Sequence, residues 1–161
     1  MTDAATPTRR ATRESGKATR QSLLRAAGEV FAELGDTASV AQICARANAF
    51  PNQVTYYFGS KEQLFVEVAC AGVLRAGRHA EEAASTATTV REYTHALIGS
   101  LLGAEARNVE MFTTAMLLVS RREDLREHIT TTLRTLHERG ADALMATLAV
   151  SYTHLRAHET V

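Results

Sequence analysis

Apolar residues recur at three- and four-residue steps along most of this chain, and no stretch shows the alternation of a strand. Leu23, Leu24, Ala27, Val30, Phe31 and Leu34 fall on one helical face, which Gly35 is placed to end. Ser39 suits the cap of a second helix that turns Val40, Ile43, Cys44 and Ala47 inward and leaves Gln42 and Arg46 outward. Asn48 and Ala49 then fill a turn, and Pro51 stands where a first helical residue has no amide bond to lose. A third helix is therefore predicted over Pro51–Phe58, with Val54, Tyr57 and Phe58 facing the first two and Gly59 stopping it. Ser60 and Gln63 have the form of a capping box ahead of a long fourth helix, whose buried face is Leu64, Phe65, Val68, Ala71 and Gly72. That helix is expected to fade over residues 79–84.

Residues 84–89, ASTATT, read as a linker. Beyond it the pattern predicts a helix over Val90–Leu102, carrying Tyr93, Leu97, Ile98, Leu101 and Leu102. A second follows over residues 105–120, carrying Met111, Phe112, Ala115, Met116 and Val119. Leu125, Ile129, Leu133, Leu136, Gly140, Leu144 and Leu148 form one continuous stripe. The fold class is all-α: an N-terminal three-helix helix-turn-helix domain joined by a long fourth helix to a C-terminal helical bundle. An apolar fraction of 45% with only 2 Pro and 9 Gly suits that class.

The third helix carries the candidate chemistry. Asn52, Gln53, Thr55 and Tyr56 are not needed for packing, and a recognition helix in the major groove offers its amino-terminal side chains to base edges. Asn and Gln are the amides that pair bidentately with adenine, so Asn52 and Gln53 are the base-reading candidates. Thr55 and Tyr56 suit phosphates or a thymine methyl, and Lys61 puts a cation beside the DNA backbone. The competing reading is a short helix with an ordinary solvated face.

Charge changes the picture by its distribution alone. The chain balances 18 Lys+Arg against 18 Asp+Glu. Through Lys61, however, Arg9, Arg10, Arg13, Lys17, Arg20, Arg25, Arg46 and Lys61 oppose Asp3, Glu14, Glu29, Glu33 and Asp36, which nets +3 and leaves −3 for the rest. A positive reading end on an acidic body is the asymmetry of a DNA-binding protein. The arm MTDAATPTRRATRESGK has little apolar content and is expected to be flexible. Its cations, Arg10 and Lys17 among them, suit a minor groove or the phosphate backbone; an ordinary flexible terminus explains them equally.

At residues 20–70 the chain resembles the DNA-binding domain of the TetR/AcrR family of bacterial transcriptional regulators. The resemblance rests on Leu23, Leu24, Ala27, Phe31, Gly35, Val40 and Ile43, and most specifically on Phe58, Ser60, Lys61, Glu62 and Leu64 in the block FGSKEQL. Four positions depart from the family pattern. The loop after Gly35 is one residue shorter, Asn48 replaces a turn glycine, Phe50 replaces a capping serine, and Thr55 replaces a tyrosine. The phosphate contact of that tyrosine then falls to Tyr56 or Tyr57. Asn48 tolerates the left-handed conformation, whereas Phe50 cannot accept a hydrogen bond.

The resemblance implies a one-component, ligand-responsive repressor that is cytoplasmic and binds double-stranded DNA at an inverted-repeat operator as a homodimer. It also implies that the bundle encloses a pocket for an unknown small-molecule effector. Tyr93, Met111, Phe112 and Met116 are the lining candidates, although core packing is the stronger reading of such a stripe. His95, His128 and His137 are pocket groups or surface histidines. The alternative is a helical small-molecule sensor or adaptor fragment without effective DNA binding.

No enzyme is expected, since the chain lacks a local nucleophile–base set, a glycine-rich phosphate loop and an HExxH motif. No cofactor or metal is implied: Cys44 and Cys70 lack metal-like spacing, and His154 and His158 lack a third ligand. No apolar run approaches the roughly 20 residues needed to cross a bilayer. The final residues, SYTHLRAHETV, resemble a translated sequencing-adapter artefact, and the two further helices usual in the family are expected to be missing. The expected organisation is a flexible basic arm at 1–19, the helix-turn-helix domain at 20–66, an incomplete ligand-binding and dimerisation domain at 67–150, and a non-native tail at 151–161. Such a chain would leave an apolar face uncovered.

Overall fold

The computed structural model describes residues 9–158, with side chains for 14–150 other than Asp36. Among the described residues there are seven α-helices and no strand. In chain order they are α1 (Arg9–Leu34), α2 (Val40–Ala47), α3 (Pro51–Phe58), α4 (Lys61–Ala84), α5 (Val90–Leu102), α6 (Ala106–Val119) and α7 (Arg126–His158). Short 3-10 turns occupy Gly35–Thr37 and Glu123–Leu125. The chain divides into two compact units, with the boundary between Val68 and Ala69 inside α4. None of the described helices is long and apolar enough to cross a membrane.

In the first unit, Leu23, Ala27, Val30 and Phe31 of α1 are buried with Ile43 and Cys44 of α2, Val54 and Phe58 of α3, and Leu64 and Phe65 of α4. Phe31 meets Phe65 edge to face at 5.0 Å between ring centroids. Each large side chain so buried contributes about 1.5–3 kcal/mol relative to exposure. Leu34, expected on this inner face, is instead exposed at the last position of α1, where the chain turns away.

The start of α1 also differs from expectation. The helix begins at Arg9, so residues 9–19 of the supposed flexible arm are helical. Their Ala, Arg, Lys and Glu favour helix by propensity, while the lack of an apolar stripe hid it from periodicity. At Gly16 α1 runs against α3, and an added Cβ would lie 3.3 Å from the Tyr57 hydroxyl. Residues 1–8 lie outside the described set.

In the second unit, the α4 residues Val73, Ala76, Ala80 and Ala84 are buried with Tyr93 of α5, Met111, Phe112, Ala115 and Val119 of α6, and Leu125 and Ile129 ahead of and within α7. Ala71, expected to be inward, is exposed. Small residues on α4 permit close approach: a Cβ on Gly72 would fall 2.7 Å from Asn108 Oδ1. Polar ties cross the same faces. Glu105 Oε1 lies 2.7 Å from His79 Nδ1, Asn108 donates to Glu105 Oε2 at 2.7 Å, and Arg139 of α7 donates to Glu81 of α4. α5 opens on a complete capping box between Thr89 and Glu92. The long stripe of α7 is buried only at its start, and Leu133, Leu144 and Leu148 stay exposed, as do Leu102 and Leu117. The side chains of residues 151–161, and with them the proposed non-native tail, lie outside the described set.

Candidate nucleic-acid interface

The presentation of α3 begins with how α2 starts and stops. Ser39 Oγ accepts from the Gln42 amide at 3.2 Å and Gln42 Oε1 accepts from the Ser39 amide at 2.8 Å, a reciprocal cap that fixes the first turn of α2. Asn48 ends the helix at φ 52° and ψ 50°, the left-handed conformation that asparagine tolerates. The Ala49 amide donates back to the Cys44 carbonyl at 2.9 Å, and Ser22 of α1 donates to the Ala47 carbonyl at 3.3 Å. The turn is thereby pinned to α1.

α3 is clamped at both ends. At its start Phe50 is extended, Pro51 is the first helical residue, and Gln53 Oε1 accepts from the Phe50 amide at 2.9 Å. Phe50 has no side-chain oxygen to return that bond, and the Gln53 amide donates instead to the Phe50 carbonyl at 2.9 Å, so the side-chain cap is half made. At its end the Gly59 amide donates to the Thr55 carbonyl at 2.9 Å, with Gly59 at φ 81°. Ser60 Oγ accepts from the Gln63 amide at 3.1 Å and starts α4.

Behind α3, Arg20 of α1 donates through Nη2 to both carboxylate oxygens of Glu67, at 2.6 and 2.7 Å, while its guanidinium lies 4.8 Å from the centroid of the Phe58 ring. One side chain thus joins α1, α3 and α4 by a charge-assisted bond and a cation–π contact. Arg46, outward as expected, pairs with Glu33 and reaches Glu29 at 3.8 Å, which ties α2 to α1. The Arg46 guanidinium holds the Glu33 carboxyl below the usual carboxylate range. These partners are 13 to 47 residues apart, and no local pattern announces them.

The predicted contact residues divide into groups. Asn52, Thr55 and Tyr56 are exposed on α3, Tyr56 at 81%. Tyr57, expected to be inward, is half-buried and lies edge-on to Tyr56 at 4.9 Å. Gln53 is half-buried with its acceptor oxygen engaged, so bidentate pairing with adenine requires that the Phe50 bond be exchanged. Lys61 is half-buried, and its Nζ donates to the Ala38 carbonyl at 3.0 Å. Lys17 is exposed on α1. The Arg10 side chain lies outside the described residues.

In the second unit, Tyr93, Met111 and Phe112 are buried and Met116 is partly exposed. The Tyr93 hydroxyl is buried without a hydrogen-bond partner, and burial, followed by the nearby Glu81 charge, pushes its phenol up. Hydrogen bonds from His79 and then Asn108 hold the Glu105 carboxyl below its ordinary value. An open depression follows the outer side of α5 along Val90, Arg91, Thr94, His95 and Ile98, apart from the four lining candidates. Among the described residues no cluster of three or more His, Cys, Asp or Glu is placed to hold a metal.

Two short capped helices joined by a left-handed turn, the second braced from behind and exposing an amide, a hydroxyl and a phenol, define a helix-turn-helix regulator. Residues 23–68 match the profile of bacterial regulatory proteins of the tetR family, and residues 90–159 match that of a bacterial transcriptional repressor C-terminal domain. A crystal structure from Rhodococcus sp. RHA1, described as that of a candidate transcriptional regulator, is 60% identical, with a TM-score of 0.75 over 81% of this chain and 69% of that one. The multidrug binding protein EbrR, crystallised with imidazole, is 26% identical, with a TM-score of 0.55 over 80% of this chain and 67% of its own. No curated protein matches. The chain belongs to the tetR family of bacterial regulatory proteins, and it is a DNA-binding transcriptional regulator.

Proposed function

We propose that this regulator is a ligand-responsive repressor that reads an inverted-repeat operator as a homodimer, with α3 of each protomer in the major groove. The observation that carries the reading is α3 itself: a helix fixed at both ends whose Asn52, Thr55 and Tyr56 point to solvent. Asn52 reads a base edge, and Gln53 joins it when its carboxamide exchanges the Phe50 amide for a base. Thr55, Tyr56 and Tyr57 supply hydroxyl donors for phosphates, and Lys17, Lys61 and Arg10 supply charge without sequence preference. Two such helices related by a two-fold axis reach successive major grooves about 34 Å apart or somewhat more.

The second unit is the effector-binding part in this proposal. The unpartnered Tyr93 hydroxyl is a polar anchor in a unit that also buries the apolar Met111 and Phe112, with Met116 as the fourth lining residue. The crystallisation of EbrR with imidazole supports a small-molecule effector. An effector that binds the DNA-incompetent state more tightly shifts the population by that difference in affinity. Cytoplasmic action follows from the same reading.

Selection from a random duplex pool by the full chain, repeated at two salt concentrations, tests the proposal. A reader enriches a palindromic sequence and loses affinity steeply with salt. Enrichment of no sequence would sink it and favour a sensor or adaptor that does not read DNA.

A further inference from the structure

Phe50 is exposed at 73%, immediately ahead of the recognition helix. Two features make it costly where it stands. The position before a first helical residue favours a side-chain oxygen that accepts an orphan helix amide, and phenylalanine offers none. The large apolar ring also gains little from burial within its own unit. Neighbouring residues adapt to it: Gln53 supplies the half of the cap that Phe50 leaves open to it, and Pro51 fixes the first helical residue. A ring kept in water beside Asn52, at the end of the helix that enters the groove first, suits an apolar partner inside that groove. The major groove of DNA offers one apolar group, the 5-methyl of thymine, which phenylalanine can contact.

We infer that Phe50 is a specificity-determining residue that reads the thymine 5-methyl group in each operator half-site. The inference rests on the reading that α3 lies in the major groove. It assigns to an apolar contact a base pair that the polar residues of α3 do not read.

The test uses the duplex that the wild-type chain selects from a random pool. Each thymine is replaced in turn by deoxyuridine, which removes the methyl and keeps every hydrogen-bonding group. At one position per half-site the wild type should lose about fourfold in affinity, the factor that corresponds to one buried methyl group. Phe50→Ala should bind the unmodified duplex more weakly by a similar factor and be indifferent to that replacement. Phe50→Leu, still apolar, should retain part of the thymine preference. Because the ring is exposed, Phe50→Ala should leave the unfolding midpoint unchanged, so folding does not confound the comparison. If no deoxyuridine position distinguishes wild type from Phe50→Ala, the Phe50 assignment is overturned while DNA reading stands. If the wild type selects no sequence, DNA reading and this assignment fall together.

Discussion

Replacing Gly59 by alanine probes the turn that ends α3. Gly59 has φ 81° and ψ −55°, a region that a residue with a Cβ enters at a cost of about 1–3 kcal/mol. The space is occupied as well: the new Cβ would fall 1.9 Å from Gln63 Oε1 and 3.1 Å from its Cδ, so the Gln63 side chain must swing away. Gly35 provides the control, because it too has a positive φ, of 61°, but nothing lies within 4 Å of its added Cβ. Gly35→Ala should therefore cost the backbone part alone, about 1 kcal/mol. Gly59→Ala should cost about 2–4 kcal/mol once the displaced side chain is included. Urea unfolding followed by circular dichroism reads both, with the stability difference taken from midpoints at constant slope. Adding Gln63→Ala should return the steric part, about 1–2 kcal/mol, to the Gly59 variant and none to the Gly35 variant. The Ser60 cap survives in that background, since it uses the backbone amide of Gln63. A Gly59→Ala cost no greater than that of Gly35→Ala, or one insensitive to Gln63, would refute the reasoning.

Three further outcomes are expected. Arg20→Ala removes the bond to Glu67 and the contact with Phe58, both part-exposed at the arginine, and should destabilise the first unit by about 1–2 kcal/mol in the same unfolding assay. Lys61→Ala should weaken binding to all duplexes alike and flatten the salt dependence by about one unit, and it should also lower the unfolding midpoint because Nζ holds the Ala38 carbonyl; an unchanged salt slope would restrict Lys61 to the structural role. The folded-state pKa of Glu105 is depressed below 4.5, so its stabilising contribution is complete above that value and is lost as pH falls through the lower folded value. Thermal midpoints below pH 4.5 should accordingly fall more steeply for the wild type than for Glu105→Gln.

Much of this architecture is written locally. Ser39, Pro51, Gly59 and Ser60 punctuate the chain by backbone geometry and caps, which act within four residues, and the bounds of α3 and α5 follow from them and from apolar spacing. What depends on distant residues is not legible in that way. The Arg20–Glu67 pair, the Lys61–Ala38 bond and the His79–Glu105 contact span 47, 23 and 26 residues, and only the packing of helices brings them together. Periodicity also overstates burial: Leu34, Leu133, Leu144 and Leu148 keep the apolar rhythm yet stay exposed, because a stripe shows what a helix offers and not what packs against it. For the proposed contact residues, the sequence identifies Asn52, Thr55 and Tyr56 as spare, but it does not show that Gln53 is already bonded to Phe50.

The double clamp on α3 has a thermodynamic consequence. A reading helix already ordered before it meets DNA does not fold on contact, so the protein side of association carries little ordering entropy. Calorimetry on the selected duplex should therefore give a heat-capacity change in proportion to the contact surface alone, without the excess expected when a segment folds as it binds.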